Sequence, residues 1–586
     1  MNTELIEQAR RWIAADPDPN TRDEMQRLVD ASDLDGLRDR LGASLEFGTA
    51  GLRGVLGAGS NRMNLAVVLR TTAGLCRYLK STVGDAAARG VVIGYDGRIM
   101  SREFAEAAAR VVAGEGIRCH LFDDLAPTPL TAFAVKSLGA AAGVMVTASH
   151  NPPEYNGYKV YWGNGAQIIP PQDAGIASAI DQVEAASEIR LPELQEARAS
   201  GALRAVPSSI TDDYLAGVRA LCDESRPRAP LKMVYTALHG VGSGLALEVL
   251  SRWGEVHGVP EQSAPDGRFP TVRFPNPEEP GAMDLALALA RSTGADLVLA
   301  NDPDADRLAV AIPEGDGWTQ LTGNEVGVLL GHERLRKALA EGASADGLLV
   351  ALSIVSSPLL PRIAEAMGAR CAETLTGFKW IANRAMQVEA ETGARFVFGY
   401  EEALGYSVGD LVRDKDGVSA AYALAALAGE LKSSGQSLRD RLNEVARSYG
   451  LYASGQHAVT AAGAQGRAAI DAAMRSFRDA PPGRVGERAV VEVSDYQTGI
   501  RRGLDGATRP TGLPPSNVIS LALEDGSRVM LRPSGTEPKI KYYFDHREPV
   551  GEGEAMHLAA ARAKERLAAM ISAFREDCGA RGVVGR

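Results

Sequence analysis

The hydrophobic pattern alternates short apolar runs, which predict buried β-strands, with longer Ala- and Leu-rich stretches of helical spacing. The runs end in Gly, Asp or Ser, an order typical of parallel βα units. Ser101 is predicted to cap a helix over 102–113. The predicted strands lie at 91–93, 144–147, 232–237, 296–300, 348–352 and 395–398. Ligands gather at the carboxyl ends of strands in such sheets, so the turns after these runs are where chemistry is expected.

The C-terminal part of the chain has a different pattern. A long amphipathic helix is predicted over 555–574, after strands at 489–494, 518–523, 529–531 and 540–544. Polar junctions divide the chain into four predicted domains, which cover 1–210, 211–325, 326–480 and 481–586. The sequence therefore predicts an α/β protein: three successive βα domains with mixed or parallel sheets, then a C-terminal α+β domain.

Composition narrows the class of protein. The chain has 586 residues, 45% hydrophobic and 23% charged, so each domain is large enough to bury its own core. The formal net charge of −11 argues against nucleic acid or an anionic membrane surface as the main partner. The five cysteines are widely spaced and include no C-x-x-C pair, so the sequence indicates neither a disulfide framework nor a zinc site. No apolar stretch approaches the length of a membrane span, and we expect a cytoplasmic protein.

Three aspartates, Asp302, Asp304 and Asp306, follow a predicted strand in the segment N-D-P-D-A-D-R. Carboxylates at alternate positions of an extended loop project to one side. Three hard oxygen donors without Cys or His suit Mg²⁺. A calcium-binding EF-hand is excluded, because its sixth position would be Arg307 instead of Gly and its twelfth Pro313 instead of Glu. The alternative is a solvated acidic turn.

Ser149 follows another predicted strand, in the segment T-A-S-H-N-P-P. The Pro-Pro pair forbids a continuing helix, so the hydroxyl is expected on a rigid loop. A serine hydrolase would need a glycine-flanked nucleophile elbow, so the pattern favours phosphoryl transfer over acyl transfer. His150 could orient a phosphate, and Lys159 could donate or accept a proton if burial or neighbouring cations lowered its pKa. The alternatives are a structural histidine and a solvated lysine.

An acidic segment and a basic segment lie close together further along the chain. G-Y-E-E-A-L-G-Y follows a predicted strand, and its Glu401 and Glu402 can accept hydrogen bonds from sugar hydroxyls. R-D-K-D-G supplies Arg413 and Lys415 as cations for a phosphate. Two surface glutamates and a charged turn are the alternatives.

A third loop, R-P-S-G-T-E-P at 532–538, lies between two strands of the last predicted domain. Its Arg fork, its two hydroxyls and a Gly that lets backbone N–H groups turn inward would make a phosphate cradle. The spacing of a P-loop is missing, so nucleotide hydrolysis is not implied. A plain hairpin turn is the alternative.

Together these segments resemble the α-D-phosphohexomutase superfamily, specifically its phosphoglucomutase/phosphopentomutase branch. T-A-S-H-N-P resembles the phosphoserine loop, D-P-D-A-D-R the Mg²⁺ loop, G-Y-E-E-A-L-G-Y the sugar-recognition loop and R-P-S-G-T-E-P the phosphate-binding loop, in the family's order. N-G-Y-K-V-Y-W, T-G-F-K-W-I, R-D-K-D-G-V and F-G-T-A-G-L-R-G are also similar to this branch. The resemblance spans almost the whole chain and implies that the four domains lie around a central cleft.

The resemblance implies a phosphosugar mutase. Ser149, carried as a phosphoserine, would give its phosphoryl group to a sugar phosphate, and the resulting bisphosphate would turn over and return the other phosphate. Mg²⁺ would be held by the Ser149 phosphate and the three aspartates. Arg53 and Lys159 would assist proton transfer, with His150 beside them. The substrate-binding residues implied are Arg307, Thr376, Gly377, Phe378, Lys379, Glu401, Glu402, Arg413, Lys415, Arg532, Ser534, Gly535 and Thr536.

The resemblance favours interconversion of glucose 1-phosphate and glucose 6-phosphate, with a phosphopentomutase as the alternative. The expected partners are a sugar phosphate and a sugar bisphosphate intermediate or activator. Many hexose-specific relatives place Ser two residues after the sugar-loop Glu, where this chain has Ala403. The histidine of the G-E-x-S-G-H loop of phosphomannomutases is also missing at 405–406, which disfavours mannose. A phosphosugar-binding protein without catalysis and a metal-dependent phosphatase are the alternatives from other classes.

Overall fold

A computed structural model describes residues 2–46, 51–183, 185–460, 463–534 and 539–581. The chain divides into two compact units. The first comprises Met1–Val326, Gly377–Met386 and Phe396–Gly435, and the second comprises Gly327–Thr376, Gln387–Arg395 and Gln436–Arg586. Each unit therefore assembles residues that are far apart in the sequence.

The first unit begins with helices that pack around Ala9, Met25 and Leu37. Asp18 and Asp33 cap the second and third of them by accepting hydrogen bonds from backbone N–H groups. These helices are α1 (Asn2–Ala15), α2 (Pro19–Asp30) and α3 (Leu34–Leu41).

The first sheet of the first unit contains the predicted strands at 91–93 and 144–147. Its order is β1-β5-β4-β2-β3-β6, and β5 runs antiparallel to both its neighbours. The strands are β1 (Leu52–Val55), β2 (Val91–Tyr95), β3 (Cys119–Leu121), β4 (Ala142–Val146), β5 (Tyr155–Trp162) and β6 (Leu203–Ala205). The helices are α4 (Leu65–Thr82), α5 (Ala86–Arg89), α6 (Ser101–Gly114), α7 (Thr128–Ser137), α8 (Gln172–Asp181), α9 (Leu194–Ala199) and α10 (Ser209–Ala220).

The second sheet of the first unit has the order β11-β10-β9-β7-β8. Strand β7 is parallel to β8 and β9, and β10 is antiparallel to β9. The strands are β7 (Leu231–Thr236), β8 (Gly254–Gly258), β9 (Leu297–Ala300), β10 (Ala309–Glu314) and β11 (Gly317–Leu321). The helices are α11 (Ser243–Leu250), α12 (Pro260–Ser263) and α13 (Asp284–Thr293).

The segment after β11 contributes elements to both units. In the second unit β12 and β13 are parallel, and in the first unit β14 and β15 form an antiparallel hairpin. The strands are β12 (Leu348–Ser353), β13 (Arg370–Thr374), β14 (Arg395–Glu401) and β15 (Gly405–Val408). The helices are α14 (Gly323–Ala340), α15 (Leu359–Met367), α16 (Phe378–Thr392), α17 (Gly417–Ser433) and α18 (Leu438–Tyr449).

The second unit ends in an antiparallel sheet of order β16-β23-β22-β21-β18-β19-β20, with β17 beside β18. Phe477, Phe544 and Phe574 lie in its core. The strands are β16 (Leu451–Thr460), β17 (Arg484–Val485), β18 (Arg488–Asp495), β19 (Ile500–Gly503), β20 (Thr508–Pro510), β21 (Ile519–Leu523), β22 (Arg528–Pro533) and β23 (Lys539–Glu548). The helices are α19 (Gly463–Asp479) and α20 (Met556–Ala580).

The α/β fold class with a β-rich C-terminal part is confirmed, and two local predictions are corrected. Ser101 does not cap α6: it is the first helical residue, and its hydroxyl donates to Asp96 Oδ1 at 2.7 Å instead. The last sheet begins before position 481, because β16 pairs with β23 along its whole length. No helix in the described ranges is both long and apolar enough to cross a bilayer.

Candidate active site

Ser149 lies in the loop after β4 with its backbone in the left-handed region, at φ 53°. The side chain is buried, and its Oγ donates to Asp302 Oδ2 at 2.7 Å. Its N–H donates to Thr147 Oγ1 at 2.8 Å, and that hydroxyl donates to Asp96. A strained backbone held by buried hydrogen bonds therefore points the hydroxyl at a carboxylate.

Arg98, which the sequence analysis did not single out, holds this loop in place. Its Nη2 donates to the carbonyl oxygens of Ser149 and Asn151 at 2.5 Å each, and its Nη1 donates to that of Pro152 at 2.9 Å. Its Nε also lies 3.4 Å from Asp96 Oδ2. Arg98 follows β2, which is paired with β4, so its position at the end of a neighbouring strand was the available signal.

The three predicted metal ligands converge after β9. Asp302, Asp304 and Asp306 are buried, and one carboxylate oxygen of each lies within 4.8 Å of the others. Asp304 Oδ1 and Asp306 Oδ1 accept no hydrogen bond from any described residue. Buried acceptors without donors fit a hard divalent cation, so this group could hold a metal ion.

Lys159 lies in β5, between core residues Tyr158 and Val160, so strand alternation places it on the other face of the sheet. Its Nζ donates to Asp304 Oδ2 at 2.7 Å and to Asp306 Oδ2 at 2.9 Å. Burial disfavours the ammonium, but these two carboxylates outweigh it and raise the Lys159 pKa. The Lys159 pKa is therefore raised, not lowered as its proposed proton transfer required.

The aspartates differ in electrostatic environment. Burial, with repulsion from Asp304 and Asp306, raises the pKa of Asp302 well above its ordinary value. Burial also acts on Asp306, but Lys159 and Lys415 outweigh it and lower the Asp306 pKa. Lys415 Nζ lies 3.2 Å from Asp306 Oδ2. The cluster therefore combines a carboxyl that resists ionisation with one that is firmly ionised.

Three more basic groups surround Ser149. Burial lowers the pKa of Arg53 to about 10, and its Nη1 donates to Asn151 Oδ1 at 2.9 Å. Arg307 donates its backbone N–H to Asp302 Oδ1 at 3.0 Å. His150 Nδ1 lies 3.2 Å from Ser149 Oγ, and burial, reinforced by Arg307 and Arg53, lowers the His150 pKa far enough to keep the imidazole neutral.

The predicted sugar loop meets the aspartate loop within the first unit. Arg307 forms a β-bridge with Gly405, and Gly417 packs so closely on the Arg307 carbonyl that a Cβ there would collide with it. Glu401 is buried, and burial raises its pKa against the opposing effect of Lys415. Glu402, its neighbour, is half-buried. These contacts bring Glu401 and Lys415 to the group that contains Ser149.

The remaining predicted residues of the first unit lie in the segments 377–379 and 413–415. Lys415 Nζ is 5.7 Å from the centre of the Phe378 ring. Gly377 precedes that residue with φ 112°, and burial lowers the pKa of Lys379. Arg413 Nη1 donates to the carbonyl of Asn164 at 2.8 Å.

The predicted residues of the second unit are less completely described. Arg532 lies in β22 opposite Lys541, and Ser534 donates its N–H to the Lys539 carbonyl at 2.7 Å. The Thr376 hydroxyl is buried without a hydrogen-bond partner in the described part of the chain. Gly535 and Thr536 lie outside the described residues.

Thr128 is a second residue that sequence reasoning missed. Its Oγ1 donates to Asp304 Oδ2 at 2.6 Å, and its N–H donates to the Asp304 carbonyl at 2.9 Å. It starts α7 and lies between Pro127 and Pro129. The prolines of A-P-T-P were a usable signal, because they fix the backbone of a loop.

Three domain models of one known protein family match successive parts of this chain. The phosphoglucomutase/phosphomannomutase alpha/beta/alpha domains I, II and III match residues 44–187, 212–315 and 322–449, in that order. The chain belongs to this family. The predicted superfamily and its phosphoglucomutase/phosphopentomutase branch are confirmed, and with them the prediction of a phosphosugar mutase.

Curated relatives of this family match over most of their length. A probable phosphoribomutase of Schizosaccharomyces pombe is 40% identical, covering 93% of this chain and 94% of the relative. A phosphopentomutase of Homo sapiens is 37% identical, covering 98% and 95%. A phosphoglucomutase of Staphylococcus epidermidis is 36% identical, covering 86% and 91%. The chain is therefore similar to family members named for different sugars.

Proposed function

We propose that this mutase transfers a phosphoryl group between Ser149 and the hydroxyls of a sugar phosphate. The observation that carries the proposal is the 2.7 Å hydrogen bond from Ser149 Oγ to Asp302, inside a group of carboxylates with orphaned oxygens. In one half-reaction the bond from phosphorus to Ser149 Oγ breaks as a bond to a sugar oxygen forms; the sugar hydroxyl loses its proton and Ser149 Oγ gains one. In the second half-reaction the other phosphate returns to Ser149.

Mg²⁺ is the proposed metal, held by Asp302, Asp304, Asp306 and a phosphate oxygen on Ser149. When bound, it supplies positive charge that offsets the charge of the transferring phosphoryl group. Lys159, whose pKa is raised, adds a fixed positive charge beside these carboxylates. His150, held neutral, orients Ser149 Oγ. Arg53, whose pKa burial lowers, remains the proposed proton carrier, and Lys159 could share that role only by donating a proton from its ammonium.

We further propose that the other predicted site residues bind the substrate, whereas Ser149 carries the phosphoryl group that is transferred. Glu401 and Glu402 would accept hydrogen bonds from sugar hydroxyls. Arg532 and Ser534, with Gly535 and Thr536, would hold the phosphate that is not being transferred, so that one end stays fixed while the other reacts. The other contacts are assigned to Arg307, Thr376, Gly377, Phe378, Lys379, Arg413 and Lys415.

A pentose phosphate is the proposed substrate, with glucose phosphate as the second candidate. The relatives of highest identity and coverage among the three are named for ribose or pentose, and Ala403 lacks the hydroxyl expected of hexose-specific sugar loops. The glucose preference that the resemblance favoured is supported by the similarity to the staphylococcal phosphoglucomutase. A loop that recognises fewer hydroxyls suits the smaller sugar.

The phosphoserine is tested by mass spectrometry of the peptide 147–159 and by activity. We expect phosphate on Ser149 of the active protein, and Ser149→Ala should abolish turnover. The exposed Ser81, replaced by alanine, is the matched control and should keep normal activity. An active protein without phosphate on Ser149, together with an active Ser149→Ala variant, would overturn the proposal.

The substrate is tested by kcat/KM for ribose 1-phosphate, glucose 1-phosphate and mannose 1-phosphate with the same preparation. We expect ribose 1-phosphate first and mannose 1-phosphate last. Glucose 1-phosphate in first place would restore the second candidate without affecting the role of Ser149. Release of inorganic phosphate at the rate of isomerisation would instead indicate a phosphatase.

A further inference from the structure

A cavity of about 560 Å³ in the second unit is lined by arginines from several elements. They come from α15, α18, β18, β23 and α20. These arginines are Arg362, Arg447, Arg488, Arg547 and Arg566, and the acidic lining residues are Asp525 and Glu548. In a chain with a formal net charge of −11, this local excess of positive charge would attract anions.

Both acidic residues of the lining are already paired. Arg488 Nε donates to Asp525 Oδ2 at 2.6 Å. Glu548 accepts from Arg566 Nη1 at 3.0 Å and from Arg562 Nε at 2.6 Å. These partners therefore neutralise both carboxylates, and the other arginines leave the lining with net positive charge.

The other three lining arginines form no ion pair within the described residues, although the Glu554 carboxylate interacts electrostatically with Arg447. Arg362 donates to the Tyr449 carbonyl at 3.3 Å, and Arg447 donates to the Glu554 carbonyl at 2.6 Å. The Arg547 guanidinium makes neither an ion pair nor a hydrogen bond in the described part of the chain. A half-buried guanidinium in this state has its donors available for a ligand.

A buried polar network fixes the wall that carries Arg547. Its backbone N–H donates to Ser527 Oγ at 3.0 Å, and that oxygen lies 3.1 Å from His546 Nδ1. His546 Nε2 in turn lies 2.9 Å from Glu548 Oε2. Ser527, His546 and Glu548 are each only 1% exposed. The wall is therefore preformed, which lowers the ordering cost of binding.

The cavity is separate from the predicted phosphate-binding loop. Strands β22 and β23 pair along their length, and the loop that contains Ser534 joins them at one end. Asp525 and Arg547 lie at the opposite end of this pair. From Arg528 to Pro533 alone the paired strands extend roughly 17 Å at about 3.3 Å per residue, so the two places lie farther apart than that along the strands.

We propose that this cavity binds a small phosphorylated ligand with two or more negative charges. Guanidinium groups present planar pairs of donors that match phosphate oxygens, and the volume lies in the range of small-molecule sites. The bound anion would link Arg362, Arg447 and Arg547 and so hold α15, α18 and β23 together. It would therefore stabilise the second unit, by an amount that grows with the logarithm of ligand concentration above the dissociation constant. The site does not depend on the proposed substrate or mechanism.

The test is isothermal titration calorimetry of the full chain with fructose 1,6-bisphosphate as probe, in phosphate-free buffer. Because this probe could also occupy the active site, wild type is compared with Arg547→Glu and Arg547→Gln. We expect Arg547→Glu to lose one binding equivalent, and Arg547→Gln to weaken that equivalent by about tenfold or more. Arg509→Gln, an exposed arginine of the same unit outside the cavity, should behave as wild type.

Two further measurements keep the outcome interpretable. Melting temperature without probe, and kcat and KM for the sugar phosphate, should be unchanged in Arg547→Gln, because this side chain has no partner to lose and no assigned role in transfer. Should its melting temperature fall, Arg362→Gln replaces it in the same titration. Equal stoichiometry and affinity in wild type and variants would overturn the proposal, as would equal binding of uncharged fructose.

Discussion

The two oxygens of the Asp304 carboxylate have very different surroundings. Oδ2 accepts hydrogen bonds from Thr128 and Lys159, whereas Oδ1 is buried without a partner among the described residues. A buried acceptor without a donor costs about 1–3 kcal/mol. A divalent cation at Oδ1 would remove that cost, so the fold itself favours metal binding at this point.

We expect Asp304→Asn to lower kcat by roughly a hundredfold or more, because it keeps the shape of the loop and removes one negative ligand. Excess chelator should abolish turnover of the wild type, and Mg²⁺ should restore it. Steady-state kinetics with Asp212→Asn, an exposed aspartate, as control check both expectations. Full activity in excess chelator would contradict the assignment.

Arg98 offers a separate test of loop positioning. A lysine at this position keeps the charge, but its compact ammonium cannot reach the carbonyl groups of Ser149, Asn151 and Pro152 together. We expect Arg98→Lys to lower kcat more than about tenfold with little change in KM, because the loop carries the reacting hydroxyl. Arg102→Lys, half-exposed on α6, is the control. A raised KM with normal kcat would instead place Arg98 in substrate binding.

Residue types and spacing were enough to predict the Ser149 and aspartate loops, because each follows an apolar strand and carries its own chemistry. They were not enough to find Arg98 or Thr128. Both act through contacts with loops that lie far away in the sequence, 51 residues in one case and 176 in the other. The strand before Arg98 and the prolines beside Thr128 mark each position as one of interest, but the local pattern does not identify those distant partners.

At the scale of elements, predicted strands ended too early wherever polar residues continued them. Strand β23 was predicted over 540–544 but runs to Glu548. Its polar end is stabilised by buried pairs, Arg528 with Asp545 and His546 with Glu548. Strand β16 escaped prediction because it is half-exposed and lacks an apolar run. Pairing with a partner strand, which a local pattern does not contain, decides both cases.

Helix α14 carries a group that links stability to pH. Burial, reinforced by Arg441, lowers the pKa of His332 to about 4, below the ordinary value of 6.5. Between these values the unfolded chain binds more protons than the folded one, so stability falls as pH falls from 6.5 towards 4. We expect wild type to lose about 2 kcal/mol more than His332→Gln between pH 7.5 and pH 5, measured by urea unfolding.

The control for this measurement is His557→Gln, which changes an exposed histidine of α20. It should show the same pH dependence as wild type. Identical pH dependence in wild type and His332→Gln would mean that burial of this imidazole does not limit acid stability.

At the scale of the molecule, the two units have separate cores. Phe104 lies in the core of the first sheet of the first unit, and Phe477 lies in that of the second unit. We expect calorimetry to resolve more than one unfolding transition. Phe104→Ala and Phe477→Ala should each cost about 3–5 kcal/mol and should lower the temperature of different transitions. Equal shifts of one common transition would show that the units unfold together.

The arrangement of the first unit along the chain has a consequence for its biosynthesis. Asp306 balances its charge against Lys159 and Lys415, but Lys415 belongs to the last segment of this unit, Phe396–Gly435. At ribosomal rates of about 5–20 residues per second, Lys415 emerges roughly 5–20 s after the aspartates. During this interval the nascent chain lacks the second cation that pairs with Asp306, and termination before this segment leaves a fragment without Glu401 or Lys415.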